Sequence, residues 1–261
     1  MSLNRLGGIE VAKGNLAVVR GLFAESLEIQ RTLQVRLGTP ESLSDVSWSL
    51  DRLGDIEVSE GNLAVARGLF AEGLEIRRKL QDQLGTPASL RDVSSSLVKL
   101  GDLEVADGNL AVARGLIAEG LEIARMLQVQ LGTPASLRDV SLSLDRLGDI
   151  EVADGNLAVA RGLFAEGLEI DRRLQVQLGT PGSLRDLVFS YYKIASVSLS
   201  DEQINWAKKA LEVAKELASN FPDYPRQVFE FMKKYWLKIN KQRMYMNKNR
   251  FKINKPKFNS E

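Results

Sequence analysis

A chain that returns to the same sequence every 47 residues has few folds open to it. The run Arg5-Leu6-Gly7-Gly8-Ile9-Glu10 recurs as Arg52-Leu53-Gly54-Asp55-Ile56-Glu57, then as Lys99-Leu100-Gly101-Asp102-Leu103-Glu104, then as Arg146-Leu147-Gly148-Asp149-Ile150-Glu151. Residues 53–99 and 100–146 are identical at 37 of 47 positions without a gap. A fixed period of this length marks stacked supersecondary units, each too small to bury its own apolar face and each covered by its neighbours.

One unit reads as two helices. Leu43, Val46, Leu50, Leu53 and Ile56 recur at helical spacing and form one apolar stripe. Gly61-Asn62 interrupts it, with Gly suited to end a helix and Asn to start the next. A second stripe carries Leu63, Ala66, Phe70, Leu74, Leu80 and Leu84 up to Leu84-Gly85-Thr86-Pro87, where Gly terminates and Thr-Pro opens another helix. The spacing predicts a first helix of roughly 16–18 residues and a second of roughly 22, about 33 Å long, antiparallel through short connections. Each second helix holds interior glycines (Gly68 and Gly73, Gly115 and Gly120, Gly162 and Gly167). An interior Gly costs about 1 kcal/mol against Ala. Close helix–helix approach at Gly73 and its equivalents is the expected compensation.

The chain has no His and no Cys among 261 residues. That removes disulfides, thiolate nucleophiles, Cys/His zinc sites and imidazole acid–base chemistry. The same composition suits a reducing compartment. No apolar signal core follows Met1, and no run is long enough to span a membrane. A cytoplasmic, soluble protein is expected. The net charge of +1 conceals an asymmetry: residues 233–261 hold ten Lys or Arg and one Glu, whereas residues 1–232 hold 25 basic and 33 acidic residues.

The units resemble the tetratricopeptide repeat, whose pattern places Leu-Gly in the first helix and Ala-x3-Phe in the second. Leu53-Gly54, Ala66 and Phe70 match it, as do Leu147-Gly148, Ala160 and Phe164. Leu50, Leu97, Leu144 and, in a diverged fifth unit, Tyr191 take the family's Trp position. Ala207, Leu211 and Ala214 supply the fifth unit's small–large–small pattern. Glu10, Glu57, Glu104 and Glu151 replace the family's Tyr, and the helix-ending Pro gives way to Arg78 and a later Pro87, so the unit is similar to longer bacterial variants. The resemblance implies an all-α, right-handed helical-repeat solenoid of about four and a half two-helix units. They are expected at about 1–38, 39–85, 86–132, 133–179 and 180–221. The first is cut short. Val228, Phe231, Met232, Tyr235 and Ile239 then form the stripe of a capping helix at 222–242, and 243–261 reads as a basic, disordered tail.

Nothing in the chain predicts catalysis, a cofactor or a metal. No Gly-Lys-Ser/Thr follows a Gly-rich turn. The glutamates recur once per unit, without the distinct partner that acid–base chemistry requires, and ion pairing with Arg67, Arg114 and Arg161 is expected instead. Arg91-Asp92, Arg138-Asp139 and Arg185-Asp186 form a second ladder, expected as solvated or inter-unit pairs. The basic tail, with Tyr245, Phe251 and Phe258 among its cations, has the chemistry of a nucleic-acid contact, but a solvated tail is the simpler expectation. By the resemblance, the first helices line a concave groove that binds protein segments. Trp48, Asp51, Asp55, Val98, Asp102, Leu142, Asp145, Asp149, Phe189 and Tyr192 should face it, beside Arg52, Lys99, Arg146 and Lys193. Five aspartates predict a basic or mixed-charge peptide or protein partner. The function expected is a non-enzymatic interaction scaffold, or alternatively the sensor module of a larger bacterial signalling protein.

Overall fold

A computed structural model describes residues 16–222 and 227–253. Among them are ten α-helices and no strand: α1 (Leu16–Leu37), α2 (Pro40–Ser59), α3 (Leu63–Leu84), α4 (Pro87–Ala106), α5 (Leu110–Leu131), α6 (Pro134–Ala153), α7 (Leu157–Leu178), α8 (Pro181–Ser196), α9 (Ser200–Asn220) and α10 (Gln227–Ile253). The second helices have the expected 22 residues, and α2, α4 and α6 have 20. The expected first helix of the first unit lies outside the described residues.

The boundaries follow from local chemistry. Gly85, Gly132 and Gly179 end their helices in the left-handed conformation at φ near 60°, which only Gly adopts without strain. Thr86 then caps α4 through its side chain, Ser89 returns the bond to the Thr86 backbone N–H, and Pro87 occupies the first turn. Asn62 departs from its expected role. Its side chain makes no cap bond. Instead Nδ2 donates to Glu57 Oε2 at 2.8 Å, while its backbone N–H bonds the Glu57 carbonyl at 2.8 Å.

The chain forms two compact units divided after Ile150, within α6. In the first, α3 packs between α2 and α4, and α5 between α4 and α6. Phe70 and Leu74 of α3 meet Val93, Leu97, Leu100 and Leu103 of α4, with Ile123 and Leu127 of α5 closing the same cluster. The tightest glycines are not those expected. Gly54 and Gly101 of the Leu-Gly pairs lie against Phe70 and Ile117, so closely that a Cβ at Gly101 would stand 2.6 Å from Ile117 Cδ1. At Gly73 a Cβ would meet only ordinary contacts at 3.4 Å, and at Gly68 nothing within 4 Å.

In the second compact unit, α7, α8 and α9 stack in the same way, and α10 packs on α9. Met232 packs with Val188, Ala210 and Ala214, and Ile239 with Ala195, Ile204 and Ala207, so two residues of the expected capping stripe are buried, Val228 and Tyr235 are half-buried, and Phe231 is exposed. The helix continues to Ile253, past the Gln242 boundary drawn from composition. Lys, Gln, Arg and Met favour helix, and no Gly or Pro intervenes before Pro256. Residues 254–261 of the expected tail lie outside the described residues.

Candidate functional site

Two kinds of charged contact organise the repeats that precede Ile150. The recurring glutamates are buried and tie neighbouring repeats together. Arg20 Nε reaches Glu57 at 2.8 Å, and Arg67 Nε reaches Glu104 at 2.5 Å. Asn109 adds a 2.7 Å bond to Glu104, as Asn62 does to Glu57. The Arg67 hydrogen bond holds the Glu104 carboxyl below its usual range, and Arg67 is raised in turn. Beyond Ile150, Arg161 pairs with Glu202, which is likewise held low. These carboxylates are structural.

The second kind lines the face formed by the first helices. Lys99 Nζ of α4 lies 2.9 Å from Asp55 of α2, and Arg146 Nε of α6 lies 3.1 Å from both oxygens of Asp102 of α4. Arg91 of α4 meets Asp139 of α6 at 2.7 Å. Between these pairs opens a cleft of about 520 Å³. Its floor is apolar, built from Val58, Phe70, Val98, Leu103, Leu127 and Leu142, with Ser94, Ser95 and Ser143 beside it. Lys99 Nζ sits 5.2 Å above the Phe70 ring, a cation–π contact. Three carboxylates face three cations, so the walls are balanced.

Of the residues expected to bind a partner, Asp55 and Asp102 line this cleft, together with Val98 and Leu142. Asp51 is directed into an ion pair with Arg77 at 2.8 Å. Trp48 is 39% exposed, edge-on to Phe23, with the Arg52 guanidinium 5.3 Å from its ring. Asp145 is half-buried and Asp149 exposed. Phe189 and Tyr192 are half-buried. Tyr192 meets Phe231 at 5.4 Å and Tyr235 at 4.7 Å, edge to face, so the last helix occupies the surface expected to anchor a partner. Burial pushes the Tyr235 phenol up to about 12, with the neighbouring Tyr192 adding to the shift.

Counting aspartates on one helix face overstated the acidity of the groove, because Lys99 and Arg146 each reach back to the preceding unit. Arg91, Asp139, Phe70 and the serines were not singled out as lining residues. They are contributed by different helices, and only their three-dimensional convergence makes a site. Among the described residues, no cluster of three or more carboxylates is placed to hold a metal ion. No helix among them is long and apolar enough to cross a membrane.

No protein-family model matches the chain, and no curated protein matches it. Solved structures do. The chain is similar to BtubC (BKLC) from P. vanneervenii, with a TM-score of 0.60 at 17% identity over 94% of this chain and 95% of that one. A Podosopora anserina putative kinesin light chain with nearly identical TPR-like repeats gives 0.57 at 18% identity, covering 84% and 92%. The apo form of RapI gives 0.59 at 13% identity, covering 94% and 83%. At these identities the likeness establishes the fold, an all-α helical repeat of the tetratricopeptide type.

Proposed function

We propose that this tetratricopeptide-type helical-repeat protein is a non-enzymatic interaction scaffold that binds an extended segment of another protein along α2, α4 and α6. The cleft between the Asp55–Lys99, Asp102–Arg146 and Arg91–Asp139 pairs carries this reading. It combines an apolar floor with polar groups at its edge, within the 300–1,000 Å³ range of sites that enclose a ligand. The paired charges favour a mixed-charge segment over a uniformly basic one. An incoming cation must compete with Lys99 or Arg146, and an incoming anion with Asp55 or Asp102. The cysteine-free composition suits a reducing compartment, and action in the cytoplasm belongs to the same proposal.

Panning a displayed library of random dodecapeptides tests this. Wild type should enrich binders that a Ser95→Trp variant does not retain, since Trp at this place (the residue at position 48 of the preceding unit) fills the cleft. If wild type enriches nothing over that variant, the cleft is not a peptide site.

A further inference from the structure

Adjacent units of this chain are nearly the same sequence, so their differences isolate what each unit does for itself. Residues 86–132 and 133–179 differ at seven positions. Five of the third unit's residues there line the cleft: Ser95, Val98, Lys99, Leu103 and Ala124. The other two are Ile117 and Met126. Only ten of that unit's 47 positions line the cleft, so an even spread would put far fewer differences there. The Thr-Pro caps, the Gly-Asn turns and the buried glutamates are unchanged between the two. Variation is concentrated on the cleft and outside it touches only the buried Ile117 and the exposed Met126.

Three of these places have a clear physical consequence. In the second unit they hold Trp48, Asp51 and Arg77. There Arg77 spans the gap, reaching Asp51 at 2.8 and 3.1 Å and Ser96 Oγ at 2.7 Å. Both side chains of that ion pair are largely buried, so the space between α2, α3 and α4 is filled by charge. In the third unit the same places hold Ser95, Val98 and Ala124. Ala124 has no reach, while Ser143, the counterpart of Ser96, keeps the 3.0 Å bond to the carbonyl four residues back that Ser96 also makes. Val98 faces Gly120, its Cγ2 3.4 Å from where a Cβ would stand, as Asp51 faces Gly73. The backbone relationship is retained while an ion pair becomes an apolar opening.

We propose that Ser95, Val98 and Ala124 act together as a selector that admits one bulky apolar side chain of a bound peptide segment, whereas Trp48, Asp51 and Arg77 close the equivalent place in the second unit. This rests on the peptide-binding reading above. The cleft is more than three times the roughly 150 Å³ of a cavity that accepts benzene, so a Leu, Phe, Met or Trp side chain fits with its flanking backbone. A charged side chain would lose hydration over Val98, Leu127 and Phe70, where the cations and carboxylates of the walls are already engaged with one another. Burying such a side chain favours the apolar peptide by roughly 10–100-fold over its alanine counterpart.

The test pans random nonapeptides on the full chain and on the double variant Val98→Asp with Ala124→Arg, which rebuilds the second unit's ion pair beside a serine already in place. Val129→Ala, on the outer surface, is the control. Enriched peptides are then synthesised with the shared apolar residue kept or changed to Ala, and titrated by fluorescence anisotropy. The selector predicts one recurring Leu, Phe, Met or Trp, at least a tenfold loss on its change to Ala with wild type and the control, and less than a twofold effect with the double variant. Helicity and melting should be unaltered. Should the double variant melt early, Ser95→Leu, which installs the fourth unit's residue, carries the same comparison. Peptides sharing no apolar residue, or binding wild type and the double variant equally, overturn the selector and leave the peptide reading standing. Enrichment of no peptide at all overturns both.

Discussion

Arg67 and Glu104 lie 37 residues apart in the chain and meet through two N–H···O contacts, Nε to Oε1 at 2.5 Å and Nη2 to Oε2 at 3.2 Å. Arg20 and Glu57 repeat the relationship one unit earlier. The carboxylates are buried and the arginines lie at the edge, so each pair joins the second helix of one repeat to the first helix of the next. Glu104 is held low chiefly by the Arg67 hydrogen bond. A depressed carboxyl stabilises the fold above its unfolded value of about 4.3, and that stabilisation is lost as pH falls through the folded value. Urea unfolding followed from pH 7 to pH 3 should therefore show stability falling in the acid range for wild type, with a shallower fall for Glu104→Gln. Identical slopes would mean that the pair does not couple protonation to folding.

Glycines on the two helices of a unit should respond oppositely to alanine. A Cβ at Gly54 would collide with the Phe70 ring, whose position in the core is shared with Leu97 and Leu100. Gly54→Ala should destabilise by about 1–3 kcal/mol through overpacking. Gly68 has open space around it, and Gly68→Ala should stabilise by up to about 1 kcal/mol. Equilibrium urea unfolding of the two variants checks the contrast, and destabilisation by both would contradict the packing described.

Phe70 and Phe164 anchor their helices and are at most 2% exposed. Either change to Ala should cost about 3–5 kcal/mol, from lost transfer energy and the cavity left behind. Ile117 takes the same place opposite Gly101 that Phe70 takes opposite Gly54. Ile117→Phe should consequently cost less than about 1.5 kcal/mol, the usual ceiling for an apolar exchange that the site can absorb. A loss below 1 kcal/mol for Phe70→Ala, read from its urea midpoint, would place the wrong face inward.

The packing of the last helix has an alkaline signature. Tyr235 is pushed up to about 12, above the ordinary value of 10. Its neutral form is therefore favoured in the folded state, and the associated stability is present below pH 10 and lost as pH rises from 10 towards 12. Melting temperatures across this window should fall for wild type. Tyr235→Phe, which removes the ionising group, should flatten that decline, and an unchanged decline would dissociate the phenol from the docking of α10.

The fold was largely legible because its signals are local and repeated. The stripe through Leu50 and Leu53, the Gly85 stop and the Thr86-Pro87 start each depend on residues within one or two turns. The capping stripe around Met232 was legible for the same reason. The role of Asn62 was not, because its side chain serves the buried Glu57 in preference to the helix end it begins. The groove was read only in part. Its aspartates are visible on one helix face, but their neutralisation depends on Lys99 and Arg146 reaching across from the following repeat. The cleft depends on what is missing: Ala124 and Ser95 matter because larger residues stand at the corresponding places of the second unit. A position-by-position comparison of the units carries that signal, and the hydrophobic period of one unit does not.

Occupation of the third unit's cleft by a peptide segment is read out by methyl NMR. A peptide enriched on wild type is titrated into the protein labelled at Leu and Val methyls. Shifts or exchange broadening should concentrate at Val98, Leu103, Leu127 and Leu142, which line the cleft, and leave Val65, Val112 and Val129 on the exposed surface unmoved. Saturable perturbation confined to the exposed valines, with the four cleft residues unchanged, would place the peptide outside the cleft.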